Sequence, residues 1–172
     1  MCSSDLFSLE RYPATAEGLR RVLRRRVKKA EMLDAPVMEN VGRAIAEIVA
    51  RFVDAGVIDD KAFAQTKARA LHRRGTSTKL TKQKLRMAGI DGETLDKAMA
   101  ALDQELDTDP RQREWKAAVA LARRRRIGPF RLQKDRKDKR DRDLAAMARG
   151  GFDYELARKV IDATSVDALD EA

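Results

Sequence analysis

Two adjacent carboxylates, Asp59 and Asp60, follow the apolar run Gly56-Val57-Ile58. Neighbouring acids can divide general acid and base work or ligate a divalent cation. Both chemistries need a base, a further ligand or a polar cleft, and the surrounding residues supply none. A carboxylate at a helix start does something plainer. It accepts hydrogen bonds from free backbone N–H groups and complements the helix dipole, for about 0.5–2 kcal/mol. Phe63, Ala64, Ala68 and Leu71 keep helical spacing from this point to about Arg74, and Gly75 stops the helix. Asp59 and Asp60 therefore read as a helix cap.

The remaining chemical candidates weigh the same way. His72, the single histidine, lies between Leu71 and Arg73 and reads as an exposed surface residue. Asp135, Asp138, Asp141 and Asp143 resemble a cation site only until their neighbours are read: "QKDRKDKRDRD" interleaves each with Lys or Arg. The expectation there is a solvated, mobile, mixed-charge segment. Trp115 reads as core rather than as a platform for stacking bases. No Gly-x-x-x-x-Gly-Lys-Ser/Thr loop is present, so the chain is not expected to hydrolyse ATP. One cysteine, Cys2, excludes an internal disulfide and a cysteine-ligated zinc site, which fits a reducing cytoplasm. The start, "MCSSDLFSLE", is no secretory signal, and no apolar run approaches the ~20 residues that cross a bilayer. The expectation is a cytoplasmic binding protein: no enzyme, no cofactor, no metal, no membrane partner.

The charge points to an anion. The 172 residues carry a formal net charge of +9, and a balance this basic suggests nucleic acid or a complex containing it. The charge is also organised. Residues 11–30 hold eight basic and one acidic side chain, residues 67–86 hold eight and none, and residues 111–149 hold fifteen and five. Residues 31–66 and 87–110 between them are acidic, and the alternation suggests an internal repeat. The candidate binding residues are the basic clusters themselves: Arg20, Arg21, Arg24 and Arg25; Arg69, Arg73, Arg74, Lys79, Lys82, Lys84 and Arg86; and Arg123, Arg124, Arg125, Arg126 and Arg131. Arginine suits phosphates and carboxylates. Stacked repeats would align the clusters along one side, although four consecutive arginines must wrap around a helix.

Residue alignment supports the repeat. "AGIDGETLDKAM", Ala88 to Met99, pairs with "GGFDYELARKVI", Gly150 to Ile161, so that Gly89 meets Gly151 and Asp91 meets Asp153. Upstream, Ser77 meets Gly128, and the third copy is about eleven residues longer, at Gln133–Asp143. In the weaker first copy, Thr15 meets Ser77 and Leu23 meets Leu85. Each copy reads as three short helices. In the second, Ser77 caps a helix through Leu80 and Leu85 that Gly89 ends, and Asp91 caps one on Leu95, Ala98, Met99 and Leu102. In the third, Gly128-Pro129 breaks the first helix, and Asp153 caps the last. In the first, residues 15–30 form a basic helix on Leu19, Leu23 and Val27. Residues 35–55 form the longest helix, with Pro36 in its first turn, Gly56 at its end and Met38, Val41, Ile45, Ile48 and Phe52 as its face, flanked by Val49 and Val53. The organisation is a disordered or non-native start at 1–10 and an incomplete first repeat at 11–56. A second repeat follows at 57–108, a third at 109–163 with its insertion at 133–143, and an acidic tail at 164–172. No strand pattern competes. The fold class is all-α, an elongated tandem array of helix-turn-helix-like units, each too small to bury a core alone.

Gly56-Val57-Ile58-Asp59-Asp60-x-x-Phe63-Ala64, then Arg73-Arg74-Gly75, then Gly89-Ile90, resembles the signature of the RecX family. "LARRRRIGPFR" and "DLAAMARGGFDYELARKVI" resemble that family's final repeat. The likeness runs from about Gly56 to Asp162 and is looser from Arg11 to Ala55. It departs where the leading helix is missing and where "EMLDAPVMEN" replaces a short Gly-containing turn. The resemblance implies a curved all-helical monomer that binds RecA and lies in the groove of its filament on single-stranded DNA. It implies inhibition of ATPase activity, filament growth and strand exchange in recombination and DNA repair, without catalysis. Direct DNA contact is expected. The competing reading is a stand-alone helix-turn-helix DNA-binding protein.

Overall fold

The computed structural model describes residues 15–170; the expected non-native start and the missing leading helix fall outside them. Every regular element among the described residues is helical. They are α1 (Ala16–Glu31), α2 (Val41–Asp54), α3 (Asp60–Arg73), α4 (Thr78–Met87), α5 (Gly92–Glu105), α6 (Pro110–Arg125), a 3₁₀ turn (Gly128–Phe130), α7 (Gln133–Arg149), α8 (Tyr154–Ile161) and α9 (Asp167–Asp170). The chain divides into two bodies. The N-terminal body runs through Ala64 and adds Leu85–Asp96; the C-terminal body holds Gln65–Lys84 and the chain from Lys97 on.

The expected caps are present. Asp59 accepts from Ala62 N at 2.9 Å, Ser77 Oγ from Leu80 N at 3.2 Å, Asp91 from Thr94 N at 2.8 Å and Asp153 from Leu156 N at 2.8 Å. Asp60 does something the sequence did not announce. Its carboxylate accepts from Ala16 N, at the start of α1, at 2.9 Å. The two acids of the opening pair thus cap two different helices. Asp60→Ala is expected to lose about 1 kcal/mol. Urea unfolding of the single and double Asp59/Asp60 variants checks this, and additive losses mark independent caps.

The same junction occurs once in each body. In the N-terminal body the Thr15 hydroxyl donates to Ala88 O, and Gly89 packs on Glu17, where an added Cβ would lie 2.7 Å from Cγ. In the C-terminal body Ser77 N donates to Gly150 O at 3.3 Å, and Gly151 packs on Leu80, where a Cβ would lie 2.7 Å from Cγ. The N-terminal N–H of α4, on Thr78, meets a carboxylate of the next repeat as Ala16 does, here Glu114 at 2.8 Å. Thr15 and Ser77, Ala88 and Gly150, and Gly89 and Gly151 are therefore equivalent in structure as in sequence. Both junctions satisfy helix-start N–H groups that nothing within their own helix can reach.

The N-terminal core gathers Ala16, Leu19, Ile45, Val49 and Ile58, with Leu23, Val27, Val41 and Phe52 against it. The C-terminal core gathers Leu121, Ile127, Met147, Phe152, Val160 and Ile161 among others, with Trp115 and Phe130 against it.

Several expectations change. The helix expected over 35–55 begins only at Val41, and Met38 is 71% exposed. Asp34 turns left-handed at φ 51, and Ala35, ahead of Pro36, is biased away from helical backbone. Val49, not Ile48, is the buried centre of α2. The longest helix is α7, and the segment expected to be mobile is its first part. Asp143 there is buried, not solvated. Within the expected acidic tail, Leu169 is 2% exposed and its carbonyl accepts from Trp115 Nε1 at 3.1 Å.

Candidate nucleic-acid and partner interface

Helical geometry fixes which cations face solvent. In the N-terminal body, Arg20 and Arg24 lie one turn apart, each 3.6 Å from a Glu17 carboxylate oxygen. Arg21 donates to Met87 O at 3.1 Å, while Arg25 and Arg86 are exposed with no ion pair among the described residues. Arg21 is thus tied to the end of α4 and is partly structural.

In the C-terminal body the candidates separate into two groups. Arg69 pairs with Glu105 at 2.8 Å. Arg131 makes a bidentate pair with Asp143, at 3.1 and 2.7 Å, and Asp143 also accepts from Gly128 N at 3.0 Å. Arg131 is a structural residue in this arrangement, and the Asp143 bond holds its guanidinium more firmly protonated than usual. Lys82 is half-buried. The second group faces outward. Arg73 and Arg74 end α3, Lys79 and Lys84 stand on α4, and Arg123–Arg126 close α6; all are exposed. Arg123 lies 5.5 Å from the Phe130 ring centroid, a cation–π distance. Arg126 takes the left-handed cap of α6 at φ 53. Arg124 and Arg125 carry neither duty, which makes them the least encumbered cations of that cluster. Cations at helix C-termini also complement the dipole, so part of their placement stabilises the helices themselves.

His72 departs from its expected exposure. It is half-buried beside Thr76, Met99 and Arg113. Burial, then the charges of Arg113 and Lys116, push its pKa below the usual value of 6.5. The shift favours the neutral imidazole, so His72 does not reinforce the basic surface.

Three arginines outside the candidate set are structural. Arg113 is 5% exposed and pairs with Asp103. Arg140 holds Asp162 with two bonds of 2.7 Å, which lowers that carboxyl's pKa. Arg136 donates to the Thr164 carbonyl at 2.9 Å and to the Ala163 carbonyl. For the two on α7 a signal was available. Running the helical phase of Met147 backwards reaches Asp143, Arg140 and Arg136.

Among the described residues no group of three or more His, Cys, Asp or Glu could hold a metal ion, and no helix is long and apolar enough to cross a membrane. Asp59 and Asp60 are both engaged with backbone N–H groups, so the surface offers charge and shape. The family model described as "RecX, second three-helix domain" matches residues 59–99, the span of α3 to α5 up to Met99. A Regulatory protein RecX of Myxococcus xanthus is 39% identical over 161 residues, covering 93% of this chain and 83% of the relative. Its namesake in Agrobacterium fabrum is 30% identical over 173 residues, covering 98% and 85%. No solved structure matches the chain. Two capped three-helix repeats with equivalent junctions, and relatives of nearly matching length, lead to one conclusion: the chain belongs to the RecX family of regulatory proteins.

Proposed function

We propose that this protein is a non-enzymatic regulator of RecA, which it binds as a monomer in the cytoplasm, in the groove of the filament on single-stranded DNA. Its basic helices contact phosphates and acidic RecA surface, and binding inhibits ATPase activity, filament extension and strand exchange. Membership of the RecX family carries the choice of partner. The outward arginines of the C-terminal body support the mode of binding. Several weak contacts on one chain reinforce each other, because the first to form raises the effective concentration of the rest.

Phosphate contacts release counterions, so affinity falls with salt by a log–log slope of about −0.7 per contact on single strands. Arg124→Gln with Arg125→Gln is expected to weaken binding to RecA–DNA filaments and to flatten that slope by about 1.4, two contacts' worth. Anisotropy titrations across a salt series read both quantities. An unchanged slope would remove these arginines from the interface.

Recognition of duplex DNA by the helix pair α3–α4 is less favoured. Such readers place the N-terminal residues of the second helix against base edges. Here that end of α4 is covered: Thr78 N is bonded to Glu114 and Ser77 N to Gly150 O. Specific and random duplexes are expected to compete equally.

A further inference from the structure

The N-terminal body contains a cleft of about 380 Å³ between α1 and α2. Its floor is apolar, made by Val27, Val41 and Ile45. One wall is cationic: Arg20, Arg24 and Lys28 follow each other at one-turn intervals along α1. Among the described residues Glu31 is the one carboxylate on the lining, while Glu17, beside it, is shared by Arg20 and Arg24 at 3.6 Å.

The opposite wall holds Gly42, inside α2. Its φ is not left-handed, and a Cβ built on it meets no atom within 4 Å. Glycine within a helix is less stable than alanine. Among the described residues no atom packs into the space its missing side chain leaves, and that space opens on the cleft. Gly42 is exposed in the first turn of α2 and leaves this side of the cleft open to a ligand from outside.

We propose that this cleft docks an acidic peptide segment of a partner protein. The segment sets one bulky apolar side chain on the Val27–Val41–Ile45 floor and turns its carboxylates to Arg20, Arg24 and Lys28. The charge complementarity selects the acidic partner, and the floor selects protein over nucleic acid. A phosphate backbone gains nothing from three aliphatic side chains, and among the described residues no aromatic side chain lines the cleft to stack a base. The inference goes beyond the phosphate-binding reading above and shares only Arg20 and Arg24 with it.

The test uses the full chain without RecA or DNA. The probe is a fluorescein-labelled peptide of aspartate and glutamate with one central phenylalanine, read by anisotropy. Saturable binding is expected. Replacing the phenylalanine by alanine should weaken it about tenfold or more, because an aromatic side chain no longer leaves water. Gly42→Trp, which fills open space, should abolish binding with the helical circular dichroism and melting temperature retained. Lys28→Glu should weaken it several-fold, and Gly42→Trp, which removes no charge, should leave filament binding unchanged, which separates failure of this inference from failure of the RecA reading. Any of four results overturns the proposal: indifference to the phenylalanine, full binding by Gly42→Trp, displacement of the peptide by oligothymidine in a Gly42-dependent way, or binding only once residues 1–14 are removed. The last two would assign the cleft to nucleic acid and to the chain's own start.

Discussion

Gly75→Ala is expected to lower the stability of the protein by about 3–5 kcal/mol, whereas Gly56→Ala, at nearly the same backbone angle, should cost only about 1–2. The φ values are 70 and 68, so the left-handed penalty on an L-residue is shared. The surroundings differ. A Cβ on Gly75 would lie 2.6 Å from Leu121 Cα and 2.8 Å from Ala117 O, both backbone atoms of α6, which cannot rotate away. A Cβ on Gly56 meets nothing within 4 Å. The glycine after Arg73-Arg74 thus sets how closely the turn of the second repeat approaches the first helix of the third. Urea unfolding followed by circular dichroism measures both variants. Equal losses would mean that backbone angle alone matters and that the approach to α6 is looser.

Asp143→Ala is expected to cost a similar amount, about 3–5 kcal/mol, for an electrostatic reason. The carboxylate is 1% exposed and satisfies both Gly128 N and the Arg131 guanidinium. Removing it leaves a partly buried cation and a buried N–H without their acceptor, which costs far more than the pair contributes net. Arg131→Met together with Asp143→Leu removes both charges and should recover much of the loss. Chemical denaturation of the single and double variants gives the coupling directly, and no recovery in the double variant would show that the pair is not the cause. Arg131 variants would also lose partner binding through misfolding, so they are poor probes of the interface.

The order of helices α1 to α8, the caps and the repeat pairing were legible because local rules govern them, whereas α9 lies in the stretch expected to be an acidic tail. Asp59, Ser77, Asp91 and Asp153 cap as their positions require, and Gly75 and Gly89 stop the preceding helices. What escaped depends on contacts distant in sequence. Nothing near Asp60 indicates that it reaches Ala16, 44 residues away. The charge run at Gln133–Asp143 hid a helix because its inward positions are Arg136, Arg140 and Asp143, whose charges are met by Ala163, Asp162 and Arg131. Pure composition reads such a stretch as solvent-facing. The start of α2 was placed six residues early because apolar spacing continued through Met38, although Pro36 argued against helix at Ala35. The basic clusters were legible as charge but not as function. Only the geometry separates Arg69 and Arg131, already paired, from Arg124 and Arg125, which face outward unpaired among the described residues.

The most direct test of the RecA reading is RecA's DNA-dependent ATP hydrolysis, titrated with this protein and with an Arg124→Glu/Arg125→Glu variant. That variant leaves the Arg123–Phe130 contact and the Arg126 cap in place, and its fold is checked by its melt. The account predicts inhibition at less than one protein per RecA, with the variant requiring at least about tenfold more, the equivalent of about 1.4 kcal/mol of lost binding. Hydrolysis unaffected at any ratio by the unaltered protein, or equal inhibition by the folded variant, would contradict it.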